Sequence, residues 1–318
     1  MELCYNAREG FLHVLMAVDT RPSPIAGTWY PGTPQALAES VDRQLAQADV
    51  TVPQGEIIAV VAPHAGHQYS GQVAALAFRC LQGLSPRVVA VVSPLHQPYP
   101  GAILTTAHQA YATPLGEVPV ALALLDRLDE HLAQHYDIPL ERVRCDREHS
   151  LEIELPFLQR VLSQPFHLLP VMLRDQSEAT IQAAGHALAA VLAGESTVLV
   201  ASSDLSHFYP DRIARRLDAE VLARLEAFDP LAVLRAEDEG VGFACGRGPM
   251  AAVLWAARDL GADRVEILGH ATSGDVTGDY TSVVGYGAAV IYLSNPGPCR
   301  SLKASFPTPA TAAGHKPL

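Results

Sequence analysis

The 318-residue sequence has few basic residues, and this scarcity narrows the classes of partner. It contains 22 Lys and Arg against 34 Asp and Glu, a formal net charge of −12 at pH 7. A chain with that balance offers only local positive patches, whereas nucleic-acid binding depends on Lys and Arg contacts to phosphates. We therefore expect a small-molecule or protein ligand and no nucleic-acid partner.

Long apolar runs and cysteine pairs are also missing. No apolar stretch is long enough to cross a bilayer, and the first twenty residues contain Glu2 and Glu9 within a broken apolar run, unlike a signal peptide. The five cysteines are odd in number and scattered without a CxxC pair, so a disulfide framework is not expected. These absences predict a soluble, cytoplasmic protein with no membrane partner.

Between residues 21 and 293, apolar strands alternate with amphipathic helices. The strands, such as EIIAVVA, RVVAVVSP and FHLLPVML, are apolar on both faces, which is typical of a sheet covered on both sides. The pattern predicts one α/β domain, with a central mixed, mostly parallel sheet flanked by helices on both faces. Residues 1–20 are expected to form an N-terminal extension, and residues 294–318, rich in Pro, Ala, Ser and Thr, a flexible C-terminal tail.

Capping residues and proline indicate where several helices begin. Thr33 is expected to cap a helix with Pro34 in its first turn, and Ser177 is expected to cap another. A further helix begins near Ser150, with a bend at Pro156. The remaining helices are predicted at residues 70–82, 119–134, 211–227 and 246–260.

Histidines follow the carboxyl ends of three predicted strands. VVAPH ends at His64, VVSPLH ends at His96, and VLVASSDLSH carries Asp204 and His207. Ligands of open α/β sheets bind at the carboxyl ends of strands, where loops bring distant residues together. One histidine in such a position is more often structural, but three predict a shared site. Asp204 is expected either to orient an imidazole or to form an Asx turn.

Cys245 lies just before the helix predicted at residues 246–260. The positive end of that helix and the neighbouring Arg247 both favour the thiolate, which is the metal-binding form. Two imidazoles and one thiolate would leave an open coordination position and suit Zn, Cu or Fe. In the segment DREHSLEIELPF, His149 is expected to reach this site or a carboxylate, or simply to neighbour a helix cap.

Seven motifs occur in an order that resembles the Memo family. They are GTWYPG, APHAGHQYSG, SPLHQP, EHSLEIELPFL, SSDLSHF, CGRGP and SGDVTGDYTSVVGYGAAV. The resemblance covers residues 21–293, and the bacterial members of the family are called AmmeMemoRadiSam system protein B. The family is similar in fold to LigB-type class III extradiol ring-opening dioxygenases, which implies a LigB/Memo-like domain with a metal at one end of a mixed sheet.

The resemblance also implies roles for the residues at the strand ends. It implies His64, His96 and Cys245 as metal ligands. It implies Asp204 and His207 as catalytic residues beside them, with His207 as the acid/base group. Iron(II) or copper is the metal that the family suggests, and zinc is compatible with the same ligand types.

Four further residues are expected to bind a substrate. Trp29 and Tyr69 match aromatic residues at the mouth of the family's pocket, although both are also common core residues. His149 and Arg247 complete the set. His67 stands where a tyrosine is common in the family. It is either an extra polar group at the pocket or a surface residue, and we expect it at the surface.

Three functions are compatible with this site. The resemblance favours a metal-dependent, dioxygenase-like oxidoreductase that acts on a small, phenolic substrate. The alternatives are a non-catalytic peptide- or protein-binding module with a structural or redox metal, and a zinc-thiolate hydrolase. The family also implies a radical-SAM enzyme and an AMMECR1-like protein as partners.

Overall fold

The computed structural model describes residues 18–295, which form a large mixed sheet with helices on both faces and a small separate sheet. The strands are β1 (Thr20–Arg21), β2 (Glu56–Ala62), β3 (Val88–Pro94), β4 (Ile103–Thr106), β5 (Ala110–Thr113), β6 (Gly116–Pro119), β7 (Leu140–Val143), β8 (His167–Leu173), β9 (Thr197–Ser202), β10 (Asp204–Tyr209), β11 (Arg264–Thr272) and β12 (Val283–Leu293). The helices are α1 (Pro34–Gln47), α2 (His67–Arg79), α3 (Leu122–Tyr136), α4 (Leu155–Val161), α5 (Glu178–Leu192), α6 (Asp211–Glu226), α7 (Pro230–Arg235), α8 (Arg247–Asp259) and α9 (Gly274–Thr277).

The centre of the large sheet is parallel. Its order is β10-β12-β2-β9-β3-β8-β4-β7, with β11 also paired to β12. Strands β2, β9, β3 and β8 run parallel, whereas β12 is antiparallel to β2, β10 and β11, and β4 is antiparallel to β8. The predicted mixed sheet is confirmed, with its parallel strands concentrated where both faces are covered.

Helices cover the two faces of the sheet in separate layers. Helices α1, α2 and α4 pack together on one side, whereas α3, α5 and α8 pack on the other. Helices α5 and α8 approach closely at Gly185, where a Cβ atom would lie 2.7 Å from the carbonyl oxygen of Ala252 and 2.8 Å from the Cβ of Trp255. The glycine therefore sets the spacing of these two helices.

The predicted helix starts are largely observed. Helix α1 begins at Pro34, and the Thr33 hydroxyl accepts the backbone N–H of Ala36 at 3.4 Å. Pro156, however, lies in the first turn of α4, directly after a 3-10 turn at Glu152–Glu154. It therefore does not bend a longer helix, because the first turn is where the missing N–H of proline costs nothing.

His67 is buried, contrary to the surface position expected. It is the first residue of α2, which begins three residues before the predicted start. Its Nε2–H donates to the backbone carbonyl of Ile153 at 3.1 Å, and its ring packs against those of Tyr30 and Phe157. The extra helical turn carries the ring into the core, where it packs as a neutral group.

Some elements were not predicted. Strand β1 pairs in parallel with β5, which pairs in an antiparallel manner with β6, and these form a three-stranded sheet. Helix α7 was also missed. The predicted extension and tail lie almost entirely outside the described residues. Within residues 18–295, none of the helices has both the length and the apolarity that crossing a membrane would require.

Candidate metal centre

The ends of the central strands and one loop bring five predicted site residues together in one pocket. His64 follows β2, His96 follows β3, and Asp204 and His207 lie on β10, which begins just after β9. His149 comes from the loop between β7 and the 3-10 turn. All five line a pocket of about 650 Å³.

Three imidazoles converge in this pocket. Each of His64, His96 and His149 offers one ligand atom, and these atoms all lie within 4.8 Å of one another. The ring centroids are 5.3 Å apart for His64 and His96, and 4.8 Å apart for His96 and His149. Two of the predicted ligands and one residue predicted to bind substrate therefore form the cluster.

A buried carboxylate supports two of these imidazoles. Glu148 is 1% exposed, and its Oε1 accepts the Nδ1–H of His96 at 2.9 Å and the backbone N–H groups of His149 and Ser150 at 3.0 Å. Its Oε2 accepts the backbone N–H of His96 at 2.7 Å. Burial opposes ionisation, but these donors hold the pKa of Glu148 well below its ordinary value. Glu148 is thus an ionised group that orients His96.

A hydroxyl group supports the third imidazole. Ser202 Oγ lies 2.9 Å from Nδ1 of His64, 2.6 Å from the backbone carbonyl oxygen of Ser150 and 2.7 Å from Oε1 of Glu154. Burial raises the pKa of Glu154 well above its ordinary value. The support of His64 is therefore built from different chemistry from that of His96.

The donor set fits a transition-metal ion. Burial, followed by the proximity of the other imidazoles, lowers the pKa of His64 well below its ordinary value, and burial lowers that of His149 to about 4. Neutral imidazole is the form that binds metal. With Nδ1 of His64 and His96 engaged by Ser202 and Glu148, their Nε2 atoms are left as electron-pair donors.

Cys245 lies beside only part of this cluster. Its Sγ is 3.1 Å from Nε2 of His64 and 3.6 Å from the backbone oxygen of Asp204. Burial, together with the Asp204 carboxyl group, raises the pKa of the thiol, so the protein groups alone do not produce the expected thiolate. Arg247 lies outside the pocket, contrary to expectation, because its guanidinium is paired with Asp238 at 3.0 Å. The role of Cys245 as a ligand stays a prediction.

Asp204 and His207 are held by backbone groups. Oδ1 of Asp204 accepts the backbone N–H groups of His64 and Ala65 at 2.8 and 3.2 Å, so this carboxyl group fixes the end of β2. Burial raises the pKa of Asp204 to about 7. The Nδ1–H of His207 donates to the carbonyl of Leu205 at 2.8 Å, which leaves its Nε2 as a proton acceptor.

Aromatic side chains line the mouth of the pocket. Trp29 and Tyr69 do so as predicted by resemblance, and the Trp29 ring lies 4.1 Å from that of His149. Phe208, which the sequence did not single out, is 74% exposed and has a φ of +63°. Strand β10 shifts its register against β12 on either side of His207. A bulky residue in the left-handed region is strained, and this strain places the Phe208 ring at the pocket.

Arg21 connects the start of the domain to this site. The buried guanidinium donates to both carboxylate oxygens of Asp146 at 2.7 and 3.0 Å, to Glu152 at 2.5 Å and to the backbone carbonyl of Glu148 at 2.7 Å. It thereby holds the segment that carries Glu148 and His149. Nothing in the local pattern around Arg21 signals this role, because its partners lie more than 120 residues away.

Known proteins resemble the chain over almost all of the described residues. Residues 21–290 match the model of a family described as Memo-like protein. A MEMO1 family protein of Nitrosopumilus maritimus is 33% identical over 272 residues, covering 84% of this chain and 98% of the relative. MEMO1 family proteins of Methanopyrus kandleri and Methanothermobacter thermautotrophicus are each 34% identical, covering 85% and 84% of this chain and 98% of each relative.

Proposed function

The chain belongs to the Memo-like protein family, and on this premise we propose that it is a metal-dependent oxidoreductase of the extradiol-dioxygenase type. His64, His96 and His149 would hold iron(II) or copper, with Cys245 as a further ligand. The proposal rests on the convergence of three imidazoles in a pocket that also contains His207 and has an aromatic mouth.

The metal would supply Lewis acidity and the capacity to react with O2. The side chains of the protein bind and orient what reacts. Trp29, Tyr69 and Phe208 offer ring faces and edges on which a planar, phenolic substrate packs. Glu148 and Ser202 hold the imidazoles of His96 and His64 in fixed orientations, so that little reorganisation is needed when a ligand arrives.

His207 is the group suited to move a proton. Because its Nδ1–H is engaged by the carbonyl of Leu205, the lone pair of Nε2 is available to the pocket. Burial lowers the pKa of His207, which keeps the ring neutral and able to accept a proton near pH 7. We assign it the removal of a substrate hydroxyl proton and its later return to the product.

A zinc hydrolase is the second candidate function. A set of three imidazoles is a ligand set of catalytic zinc, and this observation favours it. In that case His207 would act as the base for water, and the reaction would need no O2. Cys245 would then be a neighbour of His64 and would not be essential for metal binding.

Metal analysis of protein purified without chelator tests the proposal. We expect about one transition-metal ion per chain in the wild type and in the control His167→Ala, which alters an exposed histidine at the start of β8. We expect the affinity for the metal to fall at least ~100-fold in His64→Ala, His96→Ala and His149→Ala, because each variant removes one ligand. If the wild type and His64→Ala both carry no transition metal, both metal-dependent functions fail.

Oxygen consumption separates the candidates. After anaerobic loading with Fe(II), the wild type should consume O2 when a catechol is added. Hydrolytic activity with zinc and without O2 would instead support the second candidate. A module that only binds a peptide would retain its partner after Cys245→Ala and would turn over neither class of substrate.

A further inference from the structure

Glu154, which contacts Ser202 behind His64, has no cationic partner among residues 18–295, unlike the buried Glu152. We propose that Glu154 is a neutral carboxylic acid that donates to Ser202 and, through Ser202, positions His64. The positioning role rests on the proposed function, whereas the protonated state of Glu154 does not.

The argument begins with the single proton of the Ser202 hydroxyl group. Ser202 Oγ lies 2.6 Å from the carbonyl oxygen of Ser150, a distance typical of an O–H···O hydrogen bond. A carbonyl oxygen only accepts, so the proton between these two atoms belongs to Ser202. The donor capacity of this hydroxyl group is thereby used.

The other two contacts of Ser202 must therefore be donated to it. Oε1 of Glu154 is 2.7 Å from Ser202 Oγ, and Nδ1 of His64 is 2.9 Å from the same atom. A carboxylate has no proton to donate, whereas a carboxylic acid has one. With Glu154 protonated, Ser202 donates one hydrogen bond and accepts two, which is the full capacity of a hydroxyl group.

The surroundings of Glu154 favour the neutral form. Its side chain is 1% exposed, and within residues 18–295 no Lys, Arg or His forms an ion pair with it. Asp204, the nearby acid, adds to the cost of a negative charge, and burial raises the pKa of Glu154. An unpaired buried carboxylate is strongly disfavoured, so the group keeps its proton.

Glu152 is an internal control in the same 3-10 turn. It is as buried as Glu154, but its carboxylate receives the guanidinium of Arg21 and the hydroxyl groups of Tyr30 and Ser23. Burial raises the pKa of both glutamates, but only that of Glu152 is opposed by a cation, Arg21, so the neutral form is favoured more strongly at Glu154.

The consequence for His64 concerns its tautomer. Ser202 accepts from Nδ1–H, so the lone pair lies on Nε2, the atom that lies 3.1 Å from Cys245 Sγ. Glu154 touches neither the ion nor a substrate in this scheme. It is a positioning residue that keeps the hydroxyl group of Ser202 turned towards Ser150.

Infrared difference spectroscopy tests the protonated state without any metal. The wild type at pH 7 should show the carbonyl stretch of a protonated carboxyl group, at higher wavenumber than an ionised carboxylate. Because the pKa of Asp204 is about 7, Asp204 also contributes to this region, so the measure is the band in the wild-type-minus-variant difference spectrum. The difference between the wild type and Glu154→Gln should contain the band, whereas the difference between the wild type and Glu130→Gln, which alters an exposed glutamate on α3, should not. A wild type without the band, or equal band intensity in the wild type and Glu154→Gln, overturns the proposal.

A second measurement covers the case in which Glu154→Gln does not fold. In wild-type protein labelled with ¹³C at the glutamate carboxyl carbons, one resonance should keep the position of the protonated form at pH 7. If every glutamate resonance has the ionised position, Glu154 is not neutral and the proposal is overturned.

The positioning role is read from Co(II) affinity and the visible spectrum of the Co(II)-loaded protein. Glu154→Gln, whose amide N–H also donates to Ser202, should stay within about threefold of the wild type, whereas Glu154→Ala should lose about tenfold and alter the spectrum. Equal loss in both variants, or in neither, overturns the positioning role. If the wild type binds no Co(II), the proposed function and this role fail, while the infrared result still decides the state of Glu154.

Discussion

His96 and His149 donate hydrogen bonds to the ionised carboxylate of Glu148, whereas His64 contacts the hydroxyl group of Ser202. Glu148 receives N–H donors from both residues of the first pair. Ser202 carries no charge, and the acid behind it, Glu154, meets no cation among the described residues. His96 is thus oriented by a charged carboxylate, whereas His64 is oriented by an uncharged hydroxyl group.

We infer from this difference that donors, and not burial alone, set the charge of an interior acid. Glu148, Glu152 and Glu154 are almost equally buried. The first two are supplied with N–H groups or a guanidinium, and burying such a charge is tolerable when it is paired and hydrogen-bonded. The third is supplied only with an alcohol. A metal ion in this site would therefore have an ionised carboxylate, that of Glu148, behind His96 and an uncharged hydroxyl group, that of Ser202, behind His64.

Removing Arg21 should break the charged side most severely. Arg21→Ala would leave Asp146 and Glu152 buried without their cation, which is expected to lower the free energy of unfolding by about 3–5 kcal/mol. Urea denaturation measures the change. The control Arg127→Ala removes an exposed ion pair and should cost about 1 kcal/mol or less. Equal losses in the two variants would contradict the assigned role of Arg21.

Changing the charge behind His96 should weaken metal binding next most. Glu148→Gln places an amide where four N–H donors point, so we expect metal affinity to fall ~10–100-fold. Competition with a chelator measures the affinity, and Glu130→Gln is the matched exposed control. Unchanged affinity would show that the carboxylate does not orient the cluster.

Removing the hydroxyl group behind His64 should have a smaller effect. Ser202→Ala leaves the Nδ1–H of His64 without its acceptor, and we expect about a tenfold loss of metal affinity. The control Ser163→Ala removes an exposed hydroxyl group at the surface. A loss of metal affinity as large as that of Glu148→Gln would show that the charge behind His96 matters no more than the hydroxyl group behind His64.

Trp29 should report on the cluster while affecting it least. Its ring lies 4.1 Å from His149, so bound Cu(II) is expected to quench its fluorescence. Trp29→Phe should abolish that quenching and change metal affinity less than about threefold, since an aromatic contact of about 1 kcal/mol is partly kept. Trp255→Phe, which alters the other tryptophan, should retain the quenching. Quenching that follows Trp255 instead would rule out the contact as its cause.

The ends of the predicted strands are sufficient to predict most residues of the site. His64, His96, Asp204 and His207 follow apolar strands, and parallel strands align their carboxyl ends at one edge, so their convergence was predictable from periodicity. For His149 the sequence predicts either a site residue or a neighbour of a helix cap, because the loop that carries it has no periodic pattern.

The groups that support the imidazoles cannot be predicted from strand ends. Arg21, Ser202 and Glu154 act through contacts that span between 48 and 138 residues of sequence, and no local pattern encodes them. The raised pKa of the Cys245 thiol was unexpected for a related reason, since the orientation of Arg247 and the burial of the sulfur depend on tertiary packing.

The backbone of Phe208 has a consequence for how the chain responds to selection. Its left-handed conformation costs of order 1 kcal/mol, which a glycine would recover. A screen for heat resistance alone should therefore enrich Phe208→Gly and discard the ring at the mouth of the pocket. A screen that also demands ligand binding should retain the aromatic ring.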